Sequence, residues 1–288
     1  MTISTENFKG IIPIRKPDSH KGDYGHVFIL AGSLGLTGAA YLTSQAALLA
    51  GSGLVTLGIP KSLNPIMAVK LTEVMTKPLP ETKELSFGRA ALQPIKKMLA
   101  DFDALAIGPG LSRNAQTQEL VAELLTCLEQ PAVLDADGLN ALIGRLTILK
   151  RLKTDLVITP HPGEMARLLN LKVSEVQKER GAIAVDFARK YQVVVVLKGY
   201  HSVVADADGE VYINQTGNPG MASAGCGDVL TGIIASFLGQ GIKAFPAAKL
   251  AVYLHGLAGD LAAKKKGEIS VIATDILAKL ARALQTVI

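Results

Sequence analysis

Cysteine is scarce. The chain has only Cys127 and Cys226, far apart in sequence. They make neither a disulfide framework nor a metal-ligand spacing, so the sequence points to a reducing compartment, read here as the cytoplasm. No His-Glu-x-x-His and no Cys/His cluster occurs, which excludes an ordinary zinc site. Long apolar runs are missing too. None spans a membrane, and Met1-Thr-Ile-Ser-Thr-Glu-Asn-Phe-Lys9 has no apolar signal-like stretch. Charge is sparse at 19%, against 49% hydrophobic residues, so a sizeable core is available and disorder is excluded. The net charge of +5 suits an anionic substrate. It does not make a nucleic-acid surface: the tight basic cluster, Lys264-Lys265-Lys266, has no aromatics among it and reads as a solvated helix end.

What is present is glycine, 28 residues of it in 288, which suits many tight strand-to-helix turns. Short apolar runs predict strands at 26–30, 53–58, 72–78, 103–107, 132–135, 155–159 and 193–197. Helical spacing predicts helices at 39–50, 61–69, 88–100, 115–128, 173–191, 229–238, 244–263 and 272–286. Cys127 reads as a packed thiol in one and His255 as core packing in another. Residues 202–205 and 210–213 flank Asp206-Ala-Asp-Gly209 as a hairpin. No linker, composition break or internal repeat interrupts this alternation. It predicts one α/β domain over residues 1–288: a mostly parallel sheet, helices on both faces and an antiparallel edge. Residues 1–20 carry no assignment.

The turns after the strands should gather on one rim, where open parallel sheets bind ligands. Gly32-Ser-Leu-Gly35-Leu-Thr-Gly38 is a ligand-facing turn or a plain tight connection; its spacing matches neither a Walker A loop nor a dinucleotide fingerprint. Gly108-Pro-Gly110 lets backbone approach a ligand. Asp135 and Asp137 follow the fifth strand. Asp135 leans to Mg²⁺ or phosphate chemistry and Asp137 to capping. His161, stiffened between Pro160 and Pro162, leans to a ligand contact. Lys198 either reaches a phosphate or is the first exposed residue of its strand.

The stretch that organises the chain is Asn218-Pro-Gly-Met-Ala-Ser-Ala-Gly-Cys-Gly-Asp228, which runs straight into an apolar helix. Gly220, Gly225 and Gly227 allow backbone N–H groups to turn inward onto an anion at a helix start. Asp228 is either an N-cap or a general base. The three glycines just upstream favour the base.

This stretch resembles the anion-hole and catalytic-base motif of ribokinase-like kinases. Lys21-Gly-Asp-Tyr-Gly-His-Val with the following Ala-Gly-Ser turn, Leu134-Asp-Ala-Asp-Gly-Leu-Asn140 and Thr159-Pro-His-Pro-Gly-Glu-Met165 narrow it. Together they resemble the ADP/ATP-dependent NAD(P)H-hydrate dehydratases, over about residues 9–286. The resemblance implies a ribokinase-like three-layer α/β/α sandwich and a metabolite-repair reaction. In it, ADP or ATP with Mg²⁺ phosphorylates the hydrate's hydroxyl, and phosphate then leaves to restore NADH or NADPH. It implies Asp228 as base, with the amides of Gly225, Cys226 and Gly227 around the phosphoryl group. Ala39, Gly110, His161 and Asp228 would meet the hydrate. Lys198, Gly199, Tyr200, His201, Ser202 and Gly227 would meet the nucleotide, and Glu164 would organise Mg²⁺ indirectly. Cys226 departs mildly from the kinases' usual small residue and reads as a spectator. The resemblance implies a homo-oligomer of tetramer order and, with no stretch matching the epimerising domain of some relatives, a separate hydrate epimerase as partner. A kinase for a vitamin-precursor alcohol, or a non-catalytic nucleotide sensor, is the alternative. Pro160-His-Pro-Gly-Glu164 opposes the first and Gly225-Cys-Gly-Asp228 the second.

Overall fold

A strand buried on both faces needs apolar side chains at nearly every position. His26–Leu30 satisfies this, and in the computed structural model, which describes residues 8–288, it forms β1. The chain continues through α1 (Thr37–Leu49), β2 (Leu54–Pro60), α2 (Asn64–Lys70), β3 (Met75–Leu79), α3 (Leu92–Met98) and β4 (Ala104–Ile107). Then come α4 (Ala115–Leu125), β5 (Ala132–Leu134), α5 (Asp137–Asn140), β6 (Leu156–Ile158), α6 (Pro162–Leu169), α7 (Val173–Lys178), α8 (Arg180–Tyr191) and β7 (Val194–Leu197). The hairpin β8 (Val203–Ala205) and β9 (Val211–Ile213) precedes α9 (Cys226–Gly239), α10 (Ala244–Lys266) and α11 (Ala273–Leu284).

The strands make one sheet in the order β3-β2-β1-β4-β5-β6-β7-β8-β9. β1 to β7 are parallel, and β8 and β9 add the antiparallel edge. Side chains alternate between the faces, as strand geometry requires. Val27 and Ile29 join the core under α1, α9, α10 and α11, whereas Phe28 and Leu30 join the core under α3, α4, α6 and α8. Three layers result. From β1 the chain moves outward to β3, then returns to β4 on β1's other side. The rim between β1 and β4 is therefore the sheet's topological switch point, where crevices open in such sheets. α9 is buried from Val229 to Leu238, as a helix apolar on nearly every side must be.

The structure differs from the expectations in local ways. The helix expected over 173–191 is two helices, α7 and α8, separated at Glu179. The helix expected over 88–100 shrinks to α3, with 3-10 turns at Arg89–Ala91 and Leu99–Asp101. α6 was not anticipated, because the prolines around His161 read as loop. Pro162 is in fact at the first helical position, where its missing N–H costs nothing. α4 ends at Leu125, so Cys127 lies just past it and donates to the Leu124 carbonyl at 3.1 Å. Lys266, in the last turn of α10, is not simply solvated: it pairs with Asp275 at 2.7 Å. Among the described residues no helix is long and apolar enough to cross a membrane.

Candidate active site

The turns that follow the parallel strands are stitched into one rim by their own backbones. Gly32 donates to the Pro109 carbonyl at 2.9 Å, and the Ser33 hydroxyl to the Gly110 carbonyl at 2.8 Å. Lys198 N–H donates to Pro160. Gly108 is essential to this closeness. Its φ is 131°, and a Cβ there would lie 1.8 Å from the Asp135 carbonyl oxygen. The Gly32 turn is thus bonded to the Gly108–Gly110 turn across the switch point. A Cβ added at Gly110 would meet Leu36 at 3.0 Å and Ala39 at 3.1 Å. Ala39 and Gly110 are therefore neighbours.

Asp135 and Asp137 have separate tasks. Asp137 was expected to cap α5, but Ala136 is the N-cap residue and no side chain caps that helix. Asp137 instead reaches back across the rim, accepting from Ser112 N–H at 2.9 Å and from Asn140 Nδ2 at 3.0 Å. It braces the loop that carries Gly110. Asp135 is 1% exposed. Its Oδ1 takes the Lys198 ammonium at 2.6 Å and its Oδ2 the Thr231 hydroxyl at 2.9 Å. Both oxygens are thus engaged by the protein, against the expected metal or phosphate role. Lys198 is not the first exposed residue of its strand; Glu164 Oε2 also approaches it, at 4.0 Å. Burial pulls the Lys198 pKa down, but Asp135 and Glu164 outweigh it and leave it above the usual lysine value.

Asp228 is not an N-cap. Gly225, with φ of 90°, holds that position, and no side chain caps the helix. Asp228 is the third residue of α9, so the amides of the first turn and the positive end of the dipole lie beside it. Burial nevertheless pushes its carboxyl pKa up to about 7; Asp135 adds repulsion, Lys198 opposes, and Asp137 contributes a further push upward. A carboxylate of that pKa is poised to exchange a proton near neutrality. Gly225 abuts Leu42, one helical turn along α1 from Ala39, while Cys226 and Gly227 line a cavity.

That cavity has a volume of about 620 Å³. Residues 198–202 form one wall, as do His161 and Gly227. Arg180 of α8 holds the wall in shape: its guanidinium donates to the Leu197 carbonyl at 2.9 Å and to the Tyr200 carbonyl. Gly199 and Ser202 exchange hydrogen bonds, and His201 Nδ1 meets the Asn214 carbonyl at 3.1 Å. Tyr200 is exposed. His161 combines two roles. Its Nδ1 accepts from Gly163 N–H at 3.0 Å, capping α6, while Glu164 accepts from its own N–H at 2.7 Å. This leaves Nε2 to carry the ring proton of the neutral form, which burial favours by lowering the His161 pKa.

Sequence reasoning missed most of the far wall. Asn214, Thr216, Val252 and Gly256, from segments that carry no motif, complete it with Met221 of the Asn218–Asp228 stretch. His255 belongs to it as well, rather than to the core alone. Burial drives its pKa down to about 4, and its Nε2 is enclosed without a partner. Thr231 had a readable signal, since it lies one turn beyond Gly227 on α9; Arg180 had none. Cys226 is buried, a free thiol whose Sγ lies 3.4 Å from the Ser223 hydroxyl.

This arrangement matches known proteins along nearly the whole chain. A family model described as NAD(P)H-hydrate dehydratase matches residues 27–282. The bifunctional NAD(P)H-hydrate repair enzyme Nnr of Moorella thermoacetica is 53% identical over 266 residues, 92% of this chain and 50% of that one. The chain thus spans about half the length of that relative. The ADP-dependent (S)-NAD(P)H-hydrate dehydratase of Neisseria meningitidis serogroup B is 36% identical, covering 96% of this chain and 90% of its own. A crystal structure of the ADP/ATP-dependent NAD(P)H-hydrate dehydratase from Bacillus subtilis, co-crystallised with ATP/Mg²⁺, superposes with a TM-score of 0.83. It is 32% identical and covers 98% of this chain and 96% of its own. On sequence, fold and extent of coverage together, the chain belongs to the NAD(P)H-hydrate dehydratase family.

Proposed function

We propose that this chain carries out the nucleotide-dependent dehydration of NAD(P)H hydrate, a metabolite-repair reaction, as a carbon–oxygen lyase. The observation that carries it is the setting of Asp228. A carboxylate whose pKa burial raises to about 7 stands third in a helix that no side chain caps, directly after Cys226 and Gly227, which line the cavity, and after Gly225, which abuts Leu42 of α1. In this reading the cavity takes ADP or ATP through residues 198–202 and Gly227. The hydrate meets Ala39, Gly110 and His161. The relatives named for ADP and ATP support the donor, and their names support the substrate.

Asp228 takes the proton of the hydrate's hydroxyl as that oxygen bonds to the nucleotide's terminal phosphorus and the bridging P–O bond breaks. The amides of Gly225, Cys226 and Gly227 receive the developing charge. Phosphate then leaves, pushed by the ring nitrogen, and loss of a ring proton restores the double bond. Magnesium would neutralise phosphate charge. Among the described residues no cluster of three acidic, histidine or cysteine side chains can hold a metal alone. The ion would be carried chiefly by phosphate oxygens and water, with Glu164 behind it.

Residues 1–288 act as one domain in this reading, supported by the single sheet that orders the described chain. A homo-oligomer, of tetramer order, and a hydrate epimerase activity complete it; the name "bifunctional" on a relative half covered by this chain supports the epimerase. Placement in the cytoplasm rests on the two free thiols. The test is turnover of hydrated NADH or NADPH with Mg²⁺ and either nucleotide, followed by the return of reduced-nicotinamide absorbance. Nucleotide-dependent recovery, lost in Asp228→Asn, is expected. Nucleotide binding without recovery would overturn the proposal.

A further inference from the structure

The buried ion pair at the rim has a job that its stability does not explain. Buried pairs give little net stability, because desolvation offsets their attraction. This one is nevertheless placed where three elements meet. Asp135 follows β5, Lys198 follows β7, and Thr231 belongs to the helix that begins with the candidate base. The Thr231 hydroxyl lies between the Asp135 carboxylate at 2.9 Å and the Gly227 carbonyl at 3.1 Å. A Cβ built on Gly227 would stand 3.3 Å from Lys198 Nζ and 3.7 Å from Asp135 Oδ2. The pair therefore sits directly against the first turn of α9.

We infer that Asp135 is a positioning residue for this site: its buried carboxylate fixes the Lys198 ammonium and the Thr231 hydroxyl against the first turn of α9, the turn that carries Asp228. The reasoning is electrostatic. Four charges or dipoles face Asp228: Asp135 from the end of β5, Lys198 from the end of β7, Asp137 from α5, and the amide dipoles of α9 itself. Lys198 and the helix dipole favour the carboxylate and would make it a weak base. Asp135 acts against both. It repels the Asp228 carboxylate directly, and it neutralises the ammonium that would otherwise attract it. Glu164, 4.0 Å from Lys198, assists in the second task only.

This inference rests on Asp228 being the base, and its test does not depend on the substrate. The carboxyl titration of Asp228 is followed by carbon NMR in nucleotide-free protein labelled at aspartate, with Asp228→Asn to assign the signal. Asp135→Asn should move that titration down by about one pH unit, and Lys198→Gln should move it up. Should Asp135→Asn alone give no folded protein, Asp135→Asn/Lys198→Gln removes both charges of the pair together; its titration must then lie below that of Lys198→Gln. With hydrate and nucleotide, the acid limb of the kcat profile should follow the same shifts. An Asp228 titration unchanged by loss of Asp135, with only thermal stability lowered, would overturn the inference and leave Asp135 a structural residue. A wild-type protein without turnover would overturn the functional reading and leave this titration test intact.

Discussion

The two sides of the α9 start are built from different materials. The rim between β1 and β4 is packed turn against turn: Gly32 on Pro109, Ser33 on Gly110, Gly108 against Asp135. It has no slack. The cavity on the other side is walled by side chains from residues 198–202, the segment before α9 and α10, and it encloses about 620 Å³. A wall of backbone holds one shape and rejects any added atom. A wall of side chains can be altered one residue at a time. The difference teaches where change is tolerated: hardly at the tightly packed rim, residue by residue in the cavity.

The largest effect should come at the seam between the two. Asp228→Asn removes the proposed base and should lower kcat by about 10³-fold, within the usual range for general acid–base catalysis, while nucleotide affinity measured by calorimetry is kept. The same variant should be more stable than wild type at pH 8. The sign follows from linkage. The Asp228 pKa is raised on folding to about 7, so its ionisation opposes the folded state. The penalty is absent below the ordinary carboxylate range, grows as pH rises towards 7 and is complete above it. Denaturant unfolding at pH 4 and pH 8 should show a gain on the order of a few kcal/mol only at the higher pH.

Lys198→Met tests the cavity side where it joins the rim. It strands the Asp135 carboxylate, 1% exposed, without its cation. A loss of about 3 kcal/mol in unfolding free energy is expected, along with weaker nucleotide binding. Gly108→Ala tests the rim. A Cβ 1.8 Å from a carbonyl at positive φ must push two strand-end turns apart, costing about 2–3 kcal/mol, read as a fall in Tm. His255→Phe, on the far wall of the cavity, should be the mildest. Nε2 has no partner to lose, so stability should stay within about 1 kcal/mol of wild type. If Gly108→Ala is as mild as His255→Phe, the contrast between a backbone wall and a side-chain wall fails.

Much of this was legible in residues 26–30, 104–107 and 194–197, whose apolar runs and following glycines mark strand ends and the rim. The start of α9 was legible because glycines and a carboxylate before an apolar helix have few other uses. α6 was not, since the capping role of His161 needs its ring nitrogen to point at Gly163, and proline masks the helix. The fates of Asp135 and Asp137 were not legible either. Two carboxylates two residues apart look alike until the fold gives one a lysine 63 positions away and the other the backbone of Ser112.

The sequence by itself determined the alternation of strands and helices, the glycine turns at the strand ends and the carboxylate at the head of α9. All of these are local, because periodicity, φ and helix starts depend on residues within a few positions of one another. Only the tertiary structure decided that Asp135 faces Lys198 and Thr231 and that α10 closes the cavity with His255. The same burial decided that Asp228 titrates near neutrality. Pairing across 63 and 96 residues, and the desolvation that sets a pKa, exist only once the sheet has brought distant segments together and excluded water from between them.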